Sequence, residues 1–548
     1  MFRLAPLAAA LLICACGGGG GRPKAPASAP AAPVPSMSFA PGALDSSYPA
    51  GVSVQAALQA TPSAPISQPL TLQVSGAGPA LLDPSWSANA DGSYTLSFST
   101  STTIPAATYS GTLQVTLCLD AQCRSPLAGS PYDVAYSITV TNPYGGTTPL
   151  NRWPGVPDWT TYQGNAAHTA WVPATLNPVQ FAPRWTWTVP ADSSASPPVL
   201  STVSLADGHV YVNAGHKLYA LEEQDASTIW THDFSAVSAD PGGPFYPTAL
   251  NPPAAQPGQV FVTTSGQQGT YLWILSSADG SVTSQTPFAA QFESYLAPTP
   301  YGANVYNDGG LYGGMAAFDA NSGTPVFFAP LAQFDEYTPA VDSRYAYAYL
   351  GSVVPGAPAQ LYVLDHTGAL QFSIADASYA WGGYAMDCAP VLGAANSVFA
   401  VDLGNPASNS LVDFDIAART VSWTAPGPYS GSPAYANGVI YALNTSPLRL
   451  EVRSESGGAL LWHWTPQQPG ENQFVGDVLL TDNLVFLSTN VAVYAIDLAT
   501  QQSVWSMATP GRLALSANGV LYIVTASSGA GAGTGGAIVA VNVAGSSH

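Results

Sequence analysis

The feature that most constrains this chain is a unit that recurs through its C-terminal part: a β-branched or aromatic strand, a gap, a second strand, an acidic or serine turn residue, and an aromatic that closes a third strand. The first strands begin near Val210, Val260, Val305, Tyr345, Val398, Val439, Val485 and Val520, on average about 44 residues apart. The second half of the unit is kept more strictly. Glu222 to Trp230, Asp319 to Phe327, Asp415 to Trp423, Ser454 to Trp462 and Asp497 to Trp505 each stand eight apart, and Asp365 to Phe372 seven. A polar residue at the start of a hairpin bonds its own turn, and an aromatic at the far end fills the seam to the neighbouring unit. These aromatics therefore read as core rather than as a cofactor box. A period of this length marks four-stranded blades or a solenoid.

Composition agrees. The 548 residues exceed what one core organises unless repeats are stacked. Hydrophobic residues are 47% and charged ones 8%, with 52 Gly and 49 Pro, which suits short strands joined by turns rather than amphipathic helices. An all-β chain follows. The last unit, Val520 to Val543, lacks its closing strand, whereas Arg184-Trp-Thr-Trp-Thr-Val189 ahead of the first unit is shaped like it. That segment is predicted to complete the eighth unit and remove an exposed sheet edge. The expected fold is an eight-bladed β-propeller over residues 158–548, preceded by a small Ig-like β-sandwich.

The N-terminus reads as an export signal. Arg3 precedes an apolar run from Leu4 to Ile13, too short to span a bilayer. The run ends Leu12-Ile13-Cys14-Ala15-Cys16-Gly17, which resembles the bacterial lipobox. Cys16, with Ala15 before it and Ile13 three back, is the expected site of acylation after removal of residues 1–15. Gly17, where an aspartate would favour inner-membrane retention, implies the outer membrane. Residues 16–36, rich in Gly, Pro and Ala, form a spacer with an end-to-end distance of about 25 Å. Residues 37–142 alternate apolar and polar positions at Val52–Gln55, Leu70–Val74, Tyr94–Phe98, Thr112–Leu117 and Tyr136–Val140, the period of a half-buried sheet, and residues 143–157 link them to the repeats. Cys118 and Cys123 are spaced to close a turn by a disulfide in an oxidising compartment. With no second Cys or His pair beside them, a metal site is disfavoured.

Net charge bounds the partners. At −20, with Lys24 and Lys217 as the two lysines, no basic stripe exists to neutralise a phosphate backbone, so nucleic acid is excluded. The same acidity opposes electrostatic attachment to an anionic membrane, leaving the lipid as the anchor.

The Asp-x-x-x-Gly-x-x-x-Trp flavour, with openings such as Leu218-Tyr-Ala-Leu, Leu361-Tyr-Val-Leu-Asp and Val493-Tyr-Ala-Ile-Asp, resembles the repeat of the quinoprotein-like (PQQ-like) β-propellers. The leading stretch Trp159-Thr-Thr-Tyr-Gln-Gly-Asn-Ala-Ala-His168-Thr also resembles what precedes such repeats. Some members of that family are PQQ-dependent dehydrogenases holding the quinone and Ca²⁺. Their adjacent cysteine pair is missing here, Cys388 stands alone, and there is no Cys-x-x-Cys-His for haem. None of their catalytic positions carries over, and no cofactor is expected; a periplasmic PQQ-dependent oxidoreductase with calcium is the alternative. Gly531-x-Gly533-x-x-Gly536 matches a dinucleotide fingerprint in form only, because no helix follows it. Neither His-Glu-x-x-His nor Gly-x-Ser-x-Gly occurs.

What remains is a set of loops that carry aromatics and acids together. Glu293, Tyr295, Glu336, Tyr337, Trp381, Tyr384, Asp387, Glu471 and Phe474 are the candidate partner-binding rim, since tyrosine and tryptophan beside carboxylates suit a protein or glycan surface. The expected function is a lipid-anchored envelope protein that binds or scaffolds a protein or glycan. Within the resembled family, the propeller lipoprotein of the outer-membrane β-barrel assembly machinery has that arrangement, though without an Ig-like domain.

Overall fold

The computed structural model describes residues 35–142, 145–190, 199–239, 241, 249–267, 269–290, 297–309, 313–331, 337–352, 354, 356–380, 389–394, 396–402, 409–525, 536–543 and 545–547. Two compact units are present: Met1–Asp45 with Gln55–Ser99 and Ser110–Ser137, and Ser46–Val54 with Thr100–Tyr109 and Ile138–His548. Among the described residues no helix is long and apolar enough to cross a membrane. The expected signal and the lipidation site Cys16 lie outside the described residues.

The N-terminal strands form two four-stranded sheets. The first runs Met37–Ala40, Gln55–Pro62, Tyr94–Thr100, Leu81–Ala88; the second runs Ala43–Pro49, Tyr132–Thr141, Ala107–Cys118, Thr71–Ser75. Period-two burial explains them: Ala56, Leu58 and Ala60 are buried while Gln55, Ala57 and Gln59 face solvent, and Leu113, Val115 and Leu117 repeat the pattern. Val52 to Val54 lie ahead of their strand, whose inward positions are mostly alanines that hardly register as strand formers. Cys118 and Cys123 are joined as a disulfide across a turn, with Cα atoms 5.0 Å apart.

From Ala182 onward the described residues form a β-propeller's repeat of antiparallel sheets, eight in number, seven with four strands and one with five. Sheet 1 is Ser204–Ala206, His209–Ala214, Lys217–Glu222 and Thr228–Asp233; sheets 2 to 7 span 249–288, 299–329, 340–376, 391–425, 429–464 and 479–507, and their strands lie in chain order except that Ala254–Gln256 is an additional strand at one edge of sheet 2. The strands at Val210, Val260 and their equivalents are second in their sheets rather than first. In most sheets the first strand is two or three residues long, as at Ala340–Val341, Val391–Leu392 and Leu479–Leu480, too short to show a period. Sheet 8 comprises Arg512–Leu515, Val520–Val524 and Ala537–Asn542, and its fourth strand is Ala182–Thr188, supplied from ahead of sheet 1.

The strict eight-residue spacing has a visible cause. In seven sheets the pairing of third and fourth strands slips by one residue at the same place, for example between Ala220 and Leu221, between Ala317 and Phe318, and between Ala495 and Ile496. In three of these sheets the aromatic then stands opposite an alanine, Ala220 with Trp230, Ala317 with Phe327 and Ala495 with Trp505. The acid bonds its turn: Asp319 Oδ1 accepts from the N–H groups of Asn321 and Ser322, and Asp497 Oδ1 from that of Thr500. The aromatic seals the next sheet. Trp423 Nε1 donates to Glu455 O at 2.8 Å, and its ring lies against Gly458, which sits at φ +67° and has no room for a Cβ.

Candidate functional site

The site is built by residues 159–170, which precede the first sheet and touch the first strand, or its immediate approach, in seven sheets in turn. Leu205 N–H donates to Trp159 O at 2.7 Å, Ala255 N–H to Thr160 O at 2.8 Å, Val341 N–H to Ala166 O at 2.8 Å, Leu392 N–H to Ala167 O at 2.9 Å, Tyr435 N–H to Thr169 O at 2.9 Å and Leu480 N–H to Ala170 O at 2.8 Å. Sheet 3 accepts instead, Thr161 Oγ1 donating to Pro298 O at 2.6 Å. Sheet 8 is reached by Trp153, whose N–H donates to Ala517 O at 2.7 Å. First strands that all meet one short segment converge on it, so this segment is the hub of the propeller and occupies its axis.

The hub is held in a costly conformation. Gln163, His168 and Ala170 adopt φ of +50°, +56° and +52°, a region disfavoured for residues with a Cβ. The ring of sheet contacts keeps them there. His168 is fully buried, its Nδ1 lies 3.1 Å from Pro390 O, and burial holds the imidazole down at about 4, so it is neutral at physiological pH.

Between the hub and sheets 7, 8 and 1 lies a cavity of about 30 Å³ lined by Trp159, Tyr162, Gln163, Val203, Asp477 and Arg512 among others. Tyr162 OH donates to Asp477 Oδ2 at 2.7 Å, and Ser432 N–H to Asp477 Oδ1 at 2.9 Å. Burial raises the Asp477 carboxyl above the ordinary range against those two bonds and the Arg512 charge. Gln163 Nε2 donates to the carbonyls of Ser432 and Pro433, while Gln163 Oε1 is buried without a donor. Among the described residues no cluster of three or more His, Cys, Asp or Glu stands ready for a metal ion. Drug-sized ligands occupy roughly 300–1,000 Å³. The cavity of about 30 Å³ is far smaller than that.

A second recess lies on the outer strands. Pro287 and Phe288 of sheet 2 and Ala316, Phe318 and Pro325 to Phe328 of sheet 3 line an apolar hollow of about 290 Å³, with Val326 45% and Phe328 47% exposed. The repeat pattern marked Phe327 as seam aromatic but carried no signal for its exposed neighbours.

The structure corrects part of the rim. Tyr337 is 2% exposed and donates from its OH to Gly314 O at 2.8 Å, while its N–H donates to Asp308 Oδ2 at 3.1 Å. It is a core residue, because this OH finds its acceptor inside the sheet. Glu471 is committed internally: Oε1 accepts from Thr489 Oγ1 at 2.7 Å and Tyr494 OH at 2.8 Å, and Oε2 from Gln468 N–H at 2.7 Å. Phe474 is half-buried and packs on the core around sheets 7 and 8. Glu293, Tyr295, Glu336, Trp381, Tyr384 and Asp387 lie outside the described residues.

The family described as outer membrane protein assembly factor BamB matches residues 182–326 and 313–544. No curated protein matches the chain. Among solved structures, the Dos1 propeller is similar at 10% identity and a TM-score of 0.36 over 63% of this chain and 78% of that one. Hsv2 of Kluyveromyces lactis is similar at 8% identity and a TM-score of 0.37 over 57% of this chain and 98% of that one.

Proposed function

The chain belongs to the family described as outer membrane protein assembly factor BamB, and from that premise we propose that it is a lipid-anchored envelope protein that docks or scaffolds protein partners. The observation that carries this reading is the hub. An axis taken up by the chain's own residues 159–170 directs partner docking to the surface. The apolar recess on sheets 2 and 3 supplies a surface of the kind that partners cover.

In this reading the eight sheets are eight blades, closed where Ala182–Thr188 pairs with Ala537–Asn542. The N-terminal sheets are an Ig-like sandwich. Their strand orders correspond to A-B-E-D and A′-G-F-C, the first strand being shared between sheets as Met37–Ala40 and Ala43–Pro49. Cys16 carries the lipid, the outer membrane is the location, and the Cys118–Cys123 bridge belongs to an oxidising compartment. Glu293, Tyr295, Glu336, Trp381, Tyr384 and Asp387 remain part of the proposed partner surface.

Affinity purification of the full-length protein from solubilised envelopes tests the reading. Enrichment of outer-membrane β-barrel assembly proteins is expected. Retention on envelope glycans without any protein partner would replace it with adhesion, and saturable binding of PQQ with Ca²⁺ would restore the oxidoreductase alternative.

A further inference from the structure

We propose that the cavity at the axial mouth is a binding subsite for an α-amino acid zwitterion, with the ammonium held between Gln163 and Asp477 and the carboxylate on Arg512. The inference is independent of the docking function, since it involves neither the lipid nor the outer recess.

Size selects what enters. About 30 Å³ has room for one small group of the size of water or ammonium, so a carboxylate joined to that group lies outside the enclosed volume, against the exposed Arg512 side chain. Polarity selects its sign. Gln163 is 3% exposed, and its Nε2 donates to two carbonyls, which fixes the amide so that Oε1 is the atom left over. A buried acceptor without a donor is costly and asks for one. Asp477 adds a carboxylate whose oxygens are oriented by Tyr162 OH and Ser432 N–H. Beside Gln163 Oε1 and Asp477 an anion would meet two acceptors, whereas an ammonium meets an amide oxygen and a counter-charge.

Arg512 selects the rest of the ligand. Its exposed side chain lines the same pocket, so a lone cation entering it approaches a like charge. A carboxylate on the carbon next to the ammonium turns that repulsion into a charge-assisted hydrogen bond. Trp159, Val203 and Leu513 provide apolar lining for what projects beyond the charged groups.

Calorimetric titration of the full-length protein in detergent with glycine, ethylammonium chloride and sodium acetate tests this. Glycine is expected to bind saturably, and the two single-charge probes weaker by about tenfold or more. Asp477→Asn and Arg512→Gln are each expected to weaken glycine by about tenfold. Arg512 is exposed, so Arg512→Gln stays informative should Asp477→Asn fail to fold. Absence of saturable heat with glycine at millimolar concentration means that the cavity holds water only and overturns the proposal. Equal affinity for glycine and ethylammonium, or unchanged affinity in Arg512→Gln, overturns it as well.

Discussion

Arg184 and Asn542, the two ends of the propeller's chain path, meet in sheet 8, where Arg184 Nη1 donates to Asn542 Oδ1 at 2.8 Å. The same guanidinium donates from Nη2 to Gln224 O at 2.6 Å and from Nε to Glu223 O at 3.3 Å in sheet 1. One buried cation thus ties the last sheet to its own fourth strand and to the first sheet. Arg184→Ala strands these acceptors in the interior and is expected to cost about 3 kcal/mol or more, read as a lower midpoint of denaturant unfolding. An unchanged midpoint would mean that strand pairing alone closes the propeller.

The seam glycines predict a sharp steric penalty. A Cβ on Gly458 would lie 2.5 Å from the Trp423 ring at a φ that side chains rarely adopt. Gly458→Ala is expected to destabilise by about 2 kcal/mol, with a shift in Trp423 fluorescence. Gly457→Ala next to it, at φ +78° but with open space for a Cβ, should cost less; thermal unfolding of the pair separates strain from clash.

Two buried acids and one buried base give opposite pH slopes. Burial pushes Asp402 and Asp413 up to about 7, so folding retains protons that the unfolded chain releases, and their contribution is lost as pH rises from about 4 to about 7. His168 is held down at about 4, so its contribution is present above about 6.5 and lost as pH falls towards 4. Asp402→Asn is expected to leave stability near pH 4 unchanged and to raise it at pH 8, measured by denaturant titration at both pH values. No gain at pH 8 would show that Asp402 is ionised at little cost.

Much of this architecture was legible in residues and some of it was not. Turn acids and seam aromatics were legible because each hairpin needs both at fixed offsets, and the missing fourth strand of sheet 8 pointed to Arg184–Val189 because an open blade leaves a bare edge. The first strands were not, since two residues at Val391–Leu392 or Leu479–Leu480 carry no period. Nor was the hub. All but one of its bonds to the first strands run through backbone carbonyls, from Trp159 to Ala170, which any side chain could flank. The rim residues Tyr337 and Glu471 misled because a tyrosine and an acid in a loop look alike whether they face solvent or satisfy a buried hydroxyl. Asp477 and Arg512 drew no attention, being far apart in sequence from Gln163 and unmarked by any motif.

The lipid anchor gives a separate outcome. Radiolabelled palmitate should enter the wild-type protein and not Cys16→Ala, which should leave the membrane fraction. Equal labelling of both would remove the anchor from the account.

Partner docking falls to the outer surface of a propeller whose axis is filled by residues 159–170. The most direct measurement is photo-crosslinking in living cells with a benzophenone amino acid in place of Phe328, in the exposed recess, and in place of Val504, an exposed residue on the outer strand of sheet 7. A covalent adduct from position 328 with an outer-membrane β-barrel assembly protein is expected, and weak or no adduct from 504. Absence of any protein adduct at 328 at native expression would contradict it.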